Sequence, residues 1–295
     1  MYILVLGAAG MLGHKMFQKL RESFPGVEGL VRRRPEGVPL LAGRDVHAGW
    51  DLEEIDSLDR WLAQRRPAWV INCAGVIKQR EQAHDPAPCL AINALLPHRL
   101  ARALAQWGGR LIHFSTDCVF KGDRGGYTEL DAPDAADLYG RTKALGEVLA
   151  PNALVFRTSM IGRELSGHRS LLDWFLAQEC GRVRGYRRAI YSGLTTLELA
   201  RLTEAAVLDY PTLHGLFHAV AEPISKYELL CLLREAFGLR VEIQPDNDFF
   251  CDRSLCGARL RNTTGYMAPS WPDLVRELAE DATPYSEWAA TLQSA

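Results

Sequence analysis

Several absences bound this chain before any motif is read. Nowhere does it carry a run of about 18 apolar residues, the length a helix needs to cross a bilayer. Its N-terminus enters an apolar strand directly, without the charged flank and cleavage site of an export signal, so a cytosolic protein is expected. Net charge is almost missing, since 34 Lys and Arg against 36 Asp and Glu leave −2. That balance exerts no long-range pull on nucleic acid or an anionic membrane; neither is an expected partner, and an anionic ligand must be gripped by local groups. The seven cysteines are odd in number, scattered, and include no C-x-x-C pair. Cys251 and Cys256 stand close together but without nearby His, so no disulfide framework and no metal site are expected, and the thiols read as reduced. Internal repeats and low-complexity tracts are also lacking.

What remains is ordinary globular material: 295 residues, 47% hydrophobic and 24% charged, enough for a real core in one large or two modest domains. The first half alternates short apolar runs with amphipathic stretches, the pattern of β-α-β units. Strands are expected at Tyr2–Leu6, Val27–Val31, Trp69–Asn72, Arg110–Phe114 and Ala153–Arg157, and helices at Met11–Ser23, Ile55–Arg65, Ala87–Gln106 and Tyr139–Leu149. This predicts an α/β fold with a Rossmann-type doubly wound parallel sheet. Beyond Arg157 the texture changes: Gly, Pro and aromatic residues become frequent, strands are expected to shorten, and helices are expected at Leu171–Glu179, Thr196–Asp209, Lys226–Phe237 and Ser270–Asp281. Residues 1–157 are read as the dinucleotide-binding part. Residues 158–295 are read as mainly a substrate-binding cap whose segments can weave back into the sheet.

The first strand runs into Gly7-Ala8-Ala9-Gly10-Met11-Leu12-Gly13, which opens a helix. In that position missing side chains let backbone N–H groups, including those of Met11 and Leu12, approach a pyrophosphate at the positive helix end. About twenty residues on, where an acidic residue would hold the ribose 2′-hydroxyl of NAD, stand Arg32, Arg33 and Arg34. Guanidinium groups there favour a 2′-phosphate, so NADPH is expected, with NADH and a merely solvated basic turn as the alternatives. Asp51 either caps the following helix or meets an adenine edge. Cys73, Ala74 and Gly75 end a strand with small residues against which a ribose can lie, or simply make a tight turn. Asn93 is a poor helix former in an apolar helix, placed to hold a water or a backbone group near the site, or only to satisfy itself.

Tyr139 and Lys143 form a Y-x-x-x-K pair, four residues apart and so on one face of a helix. A cationic Lys beside a phenol lowers the phenol pKa, which a group exchanging a proton near neutral pH needs. Ser115 and Thr116 end the strand before them. Either hydroxyl can reach a substrate oxygen beside Tyr139, but on an extended chain the two cannot point the same way.

With these residues the chain resembles the extended short-chain dehydrogenases/reductases, through Gly7, Gly10 and Gly13 for the Gly-rich turn and Thr116, Tyr139 and Lys143 for the Ser/Thr, Tyr and Lys triad. Phe114-Ser115-Thr116-Asp117-Cys118-Val119-Phe120, Leu138-Tyr139-Gly140-Arg141-Thr142-Lys143 and Phe156-Arg157-Thr158-Ser159 are similar to the dTDP-4-dehydrorhamnose reductases within that superfamily. Cys118 stands where that motif usually has an aromatic residue. The resemblance implies reduction, with NAD(P)H, of the 4-keto group of a nucleoside-diphosphate-6-deoxyhexose in deoxysugar biosynthesis for cell-surface polysaccharide. It implies Tyr139 as proton donor, Lys143 on both the phenol and the nicotinamide ribose, and Thr116 on the carbonyl oxygen. Ser192-Gly193-Leu194 and Asp252-Arg253-Ser254 resemble segments lining the sugar-nucleotide pocket. Arg253 is the first choice for the diphosphate, with Arg163 and Lys226 behind it. An epimerase or dehydratase of the same scaffold, and a non-catalytic NADP-binding regulatory subunit, are the competing readings. A homodimer is one assembly open to it.

Overall fold

From Ile3 onward every residue of the first strand is apolar because both faces of that strand are covered. Ile3 and Val5 pack into one core, Leu4 and Leu6 into another on the opposite side of the sheet. A parallel sheet buried on two sides reads as a continuous apolar run for this reason. The computed structural model describes residues 1–77, 85–166 and 169–288.

The chain begins with β1 (Tyr2–Leu6), α1 (Met11–Ser23), β2 (Gly26–Leu30) and β3 (Val46–His47). Next come α2 (Ile55–Arg65), β4 (Trp69–Asn72) and α3 (Pro86–Cys89), which runs through a π-helical segment, Leu90–Leu95, into α4 (Leu96–Ala105). β5 (Arg110–Thr116), α5 (Leu138–Leu145), β6 (Ala153–Thr158), β7 (Met160–Ile161) and α6 (Leu171–Leu176) follow. The remainder comprises β8 (Arg182–Tyr191), β9 (Leu194–Thr195), α7 (Thr196–Leu208), β10 (Gly215–His218), β11 (Ile224–Ser225), α8 (Lys226–Ala236), β12 (Glu242–Asp252), α9 (Ala258–Thr264) and α10 (Trp271–Ala279). Seven strands form one sheet in the order β10-β6-β5-β4-β1-β2-β3, all parallel, with helices on both faces. This is the Rossmann-type doubly wound fold that the alternation of apolar runs and helices predicts. Its edge strand β10 comes from beyond residue 158 and pairs with β6, Gly215 opposite Leu154 and His218 opposite Arg157.

Two expectations change. The single helix expected over Ala87–Gln106 is interrupted by the π segment. Pro97 has no N–H to give the carbonyl of Asn93 four residues earlier, so the regular ladder cannot run through that turn. The second half has the expected short strands in β7, β9 and β11, two residues each, but it also holds two long ones: β8 has 10 residues and β12 has 11. They lie side by side in a three-stranded sheet, β11-β8-β12. Their exposed faces carry Arg182, Arg184, Arg188, Glu242 and Gln244, and this charge hides the alternation that Val183, Ala189 and Ile243 supply on the buried side. No helix among the described residues is long and apolar enough to cross a membrane.

Candidate active site

The Gly-rich turn is compressed. Gly7 has φ +72°, and Gly7 and Ala8 both donate their amides to the Leu30 carbonyl, at 3.0 and 3.1 Å. At Gly13 a Cβ would stand 2.0 Å from the Gly7 carbonyl oxygen, so any side chain there would push α1 off the turn. Gly10 is the N-cap of α1 and supplies no side-chain acceptor, and the first turn holds no acidic residue. The opening amides of a 13-residue helix are thus left without a side-chain acceptor. Gly10, Met11 and Leu12 face a cleft of about 400 Å³. That is an anion-binding end, and it fits the pyrophosphate of a dinucleotide.

The cleft continues along the carboxyl ends of β4 and β5, lined by Cys73, Ala74 and Gly75, then by Ser115, Thr116, Asp117 and Cys118, with Tyr139 and Lys143 opposite. Asn93 is fully buried behind this wall. It accepts from the Val76 amide at 2.9 Å and donates to the Val76 carbonyl at 3.0 Å, pinning the chain after β4. The strand alternation resolves the two hydroxyls. Ser115 donates to Glu147 at 2.6 Å, away from the cleft, whereas Thr116 donates to Asp117 at 3.1 Å and its hydroxyl acts on the Tyr139 phenol.

Asp137 caps α5, accepting from the Gly140 amide at 2.9 Å, and so sets the helix that carries both Tyr139 and Lys143. The expected lowering of the phenol pKa is not what this environment does. Burial pushes Tyr139 above the usual phenol value, with the Cys118 and Asp117 side chains adding to it and Thr116 opposing. Lys143 instead donates to the Phe114 carbonyl at 2.6 Å. Burial brings its ammonium down to about 8, against the pull of Glu147 and Cys73. The phenol is therefore protonated at neutral pH and able to donate. Burial also raises the Asp117 carboxyl, against the Arg253 and Lys226 charges.

Other expected site residues lie elsewhere. Arg32 and Arg33 are exposed beyond the end of β2, Arg32 lying 3.9 Å from Glu53. Asp51 accepts from the Glu53 amide at 3.0 Å in a turn before α2. Arg163 pairs with Asp173 at 2.6 Å and packs on the Tyr285 ring in a separate cavity. Gly193 lets its turn press against Ser159, whose carbonyl oxygen would be 2.2 Å from a Cβ there. Arg253 donates to the Phe120 carbonyl at 2.8 Å and lies 3.9 Å from the sulfur of Cys118, which lines the cleft. Lys226 also lines the cleft, its ammonium 4.3 Å from the Tyr191 ring. Ser159, from the Phe156–Ser159 motif, lines it too, as do Tyr191, Glu164 and Arg169, which no motif or spacing marked in the sequence.

Residues 1–247 match the family described as the RmlD substrate binding domain. The chain belongs to that family. Among its RmlD-family and other relatives, a dTDP-4-dehydrorhamnose reductase of Mycobacterium tuberculosis is 35% identical over 173 residues, which are 54% of this chain and 50% of that protein. The chain thus spans about half the length of these first-matched curated relatives. A probable dTDP-4,6-dihydroxy-2-methyloxan-3-one 4-ketoreductase of Streptomyces antibioticus is 31% identical over 99% of this chain and 93% of its own length. The methionine adenosyltransferase 2 subunit beta of Rattus norvegicus is 29% identical over 80% of this chain and 72% of its own. In shape, the RmlD-family chain is similar to a dTDP-4-dehydrorhamnose reductase from Bacillus anthracis solved in complex with NADP. That likeness has a TM-score of 0.79 at 20% identity, over 95% of this chain and 98% of that one, and speaks for the fold.

Proposed function

We propose that this chain is an NAD(P)H-dependent oxidoreductase that reduces the 4-keto group of a nucleoside-diphosphate-4-dehydro-6-deoxyhexose, in deoxysugar biosynthesis for cell-surface polysaccharide. One observation carries the reading: the Thr116–Tyr139 hydroxyl pair lies in the same cleft as the uncapped N-terminus of α1. The names of the Mycobacterium tuberculosis and Streptomyces antibioticus relatives support the substrate class.

The α1 amides and the small-residue wall of Cys73, Ala74 and Gly75 would hold the dinucleotide, and Lys143 would meet its nicotinamide ribose. A nicotinamide held there would supply the hydride taken up at the sugar C4. Tyr139 gives its Oη proton to the oxygen that becomes the alcohol, a step open to it because burial keeps the phenol protonated. Thr116 aligns the phenol and offers its hydroxyl to the same oxygen as charge develops there. Lys226, on the cleft wall, is the cation best placed for an anionic part of the substrate.

The likeness to the methionine adenosyltransferase subunit favours a second reading, a regulatory subunit that binds the dinucleotide without reducing anything. A dehydratase has less support, since Asp117 is followed by Cys118 rather than a second carboxylate. The deciding assay follows loss of NADPH absorbance with enzymatically made dTDP-, UDP- and GDP-4-keto-6-deoxyhexoses, with and without a 3,5-epimerase, and is repeated with NADH. Stoichiometric consumption with one sugar is expected. Tight NADPH binding with no consumption across the panel moves the assignment to the regulatory subunit, and sugar conversion without net consumption moves it to an internal redox cycle.

A further inference from the structure

Behind the cleft, on the side away from the cofactor turn, a buried charge pair spans the catalytic helix and two strands. Glu147 follows Lys143 by four residues, just past the end of α5. Its side chain is only 8% exposed and that of Arg157, on β6, 1%. Arg157 clasps it through one edge of the guanidinium, Nε to Oε1 at 2.8 Å and Nη2 to Oε2 at 2.6 Å. Ser115 donates to the same Oε1 at 2.6 Å. Ser115 and Arg157 are register partners across β5 and β6, and the next pair is Thr116 and Thr158. The Arg157 clasp is itself braced. His218 donates from Nδ1 to the Cys256 carbonyl at 3.2 Å, leaving Nε2 to accept from Arg157 Nη1 at 3.1 Å.

A pair this deep is a costly way to gain stability, since two desolvated charges of this kind do little better than apolar residues of the same volume. Its placement suggests another use. β5 is fastened to α5 at consecutive residues, through the Phe114 carbonyl by Lys143 and through the Ser115 hydroxyl by Glu147, immediately before Thr116. The titratable groups facing Lys143 are Tyr139 and Glu147 from its own helix and the segment after it, Cys73 from the end of β4, and His113 from β5. His113 is kept neutral by burial and by Lys143 itself, so Glu147 is the carboxylate acting on that ammonium.

We propose that Glu147, locked by Arg157, is a positioning residue of this site, tying the end of the Tyr139–Lys143 helix to the strand that carries Thr116 and serving as counter-charge to the Lys143 ammonium. The role touches neither substrate nor cofactor. It deepens the reductase reading, yet its primary test needs no turnover.

The test is the titration of Lys143, followed by NMR at its carbon-13-labelled ε-methylene in the NADPH-free protein. In Glu147→Gln the midpoint is expected to fall by about one pH unit or more, the effect of removing a nearby opposite charge. In Glu147→Asp, which keeps the charge, most of that fall should be recovered. The double variant Glu147→Gln/Arg157→Gln, which leaves no unpaired charge on Arg157, should show a fall in the same direction. An unchanged Lys143 midpoint in either charge-removed protein overturns the proposal. If neither variant folds, the wild-type protein decides through the Glu147 carboxyl carbon: a step at the Lys143 midpoint supports the coupling, and its absence overturns it. Failure of the keto-sugar panel with an intact Glu147 effect would sink the reductase reading alone.

Discussion

The ammonium of Lys143 is hydrogen-bonded to the main-chain carbonyl of Phe114 at 2.6 Å, so the helix that carries Tyr139 and Lys143 is anchored to the strand whose next residues are Ser115 and Thr116. In the cofactor-free protein Lys143 is therefore occupied with the backbone. Tyr139 takes its protonation state from burial rather than from the cation one turn away.

Tyr139→Phe removes the proton donor and little else, because Thr116 and Lys143 keep their other partners. Turnover is expected to drop about 10²–10⁴-fold, the usual contribution of a positioned acid, while NADPH affinity changes little. Steady-state rates together with fluorescence titration of NADPH check this; near-normal turnover would falsify the assignment.

Thr116→Val and Ser115→Ala should separate cleanly. The first removes a hydroxyl aimed at the reacting oxygen and is expected to lower kcat by roughly 10²-fold, with about 1 kcal/mol of stability lost because Thr116 also accepts from the Cys118 amide. The second strips a donor from a buried carboxylate, and about 1–3 kcal/mol of folding stability should be lost. Paired kcat and urea-denaturation measurements distinguish them, and a reversed pattern means that the strand faces are misassigned.

Lys143 carries a pH dependence whose sign is set by its lowered value of about 8. As pH rises through that value the folded protein loses the charge that would meet the nicotinamide ribose, so NADPH affinity should weaken on the alkaline side. Linkage runs the other way for folding. The unfolded chain still binds this proton up to its ordinary value near 10.5, so the group's cost is greatest below about 8 and is relieved as pH rises between the two. NADPH titrations across that window, with Lys143→Met as control, should show an alkaline loss only in the wild type.

Lys15 and Asp281 form a second buried ion pair at 2.6 Å, joining α1 to the segment after α10, and Lys15 also donates to Thr283 at 2.5 Å. Beside it His14, held neutral by burial with its value down to about 4, donates to the Gly10 carbonyl at 2.9 Å and accepts from the Tyr285 hydroxyl at 2.8 Å. Asp281→Asn leaves Lys15 charged and buried, and about 3–5 kcal/mol of stability should be lost. Denaturant unfolding checks the size; a change under about 0.5 kcal/mol means that water reaches the pair.

The sequence by itself determined the features whose geometry is local. Apolar runs alternating with amphipathic stretches specify β1, α1, α2 and β4 residue for residue, because a strand or helix is recognised by the period of its own side chains. The Gly-rich turn and the Tyr139–Lys143 spacing were legible for the same reason, as was the rule that Ser115 and Thr116 must face opposite ways. Tertiary structure alone decided which hydroxyl faces the cleft, since that depends on where β6 and Glu147 stand. It also set Lys226 on the cleft wall, Arg253 against Cys118 and Arg163 in another cavity, and it brought β10 to the edge of the sheet. Above all it reversed the expected effect on the Tyr139 phenol. Desolvation belongs to everything packed around a group, and no spacing along the chain encodes it.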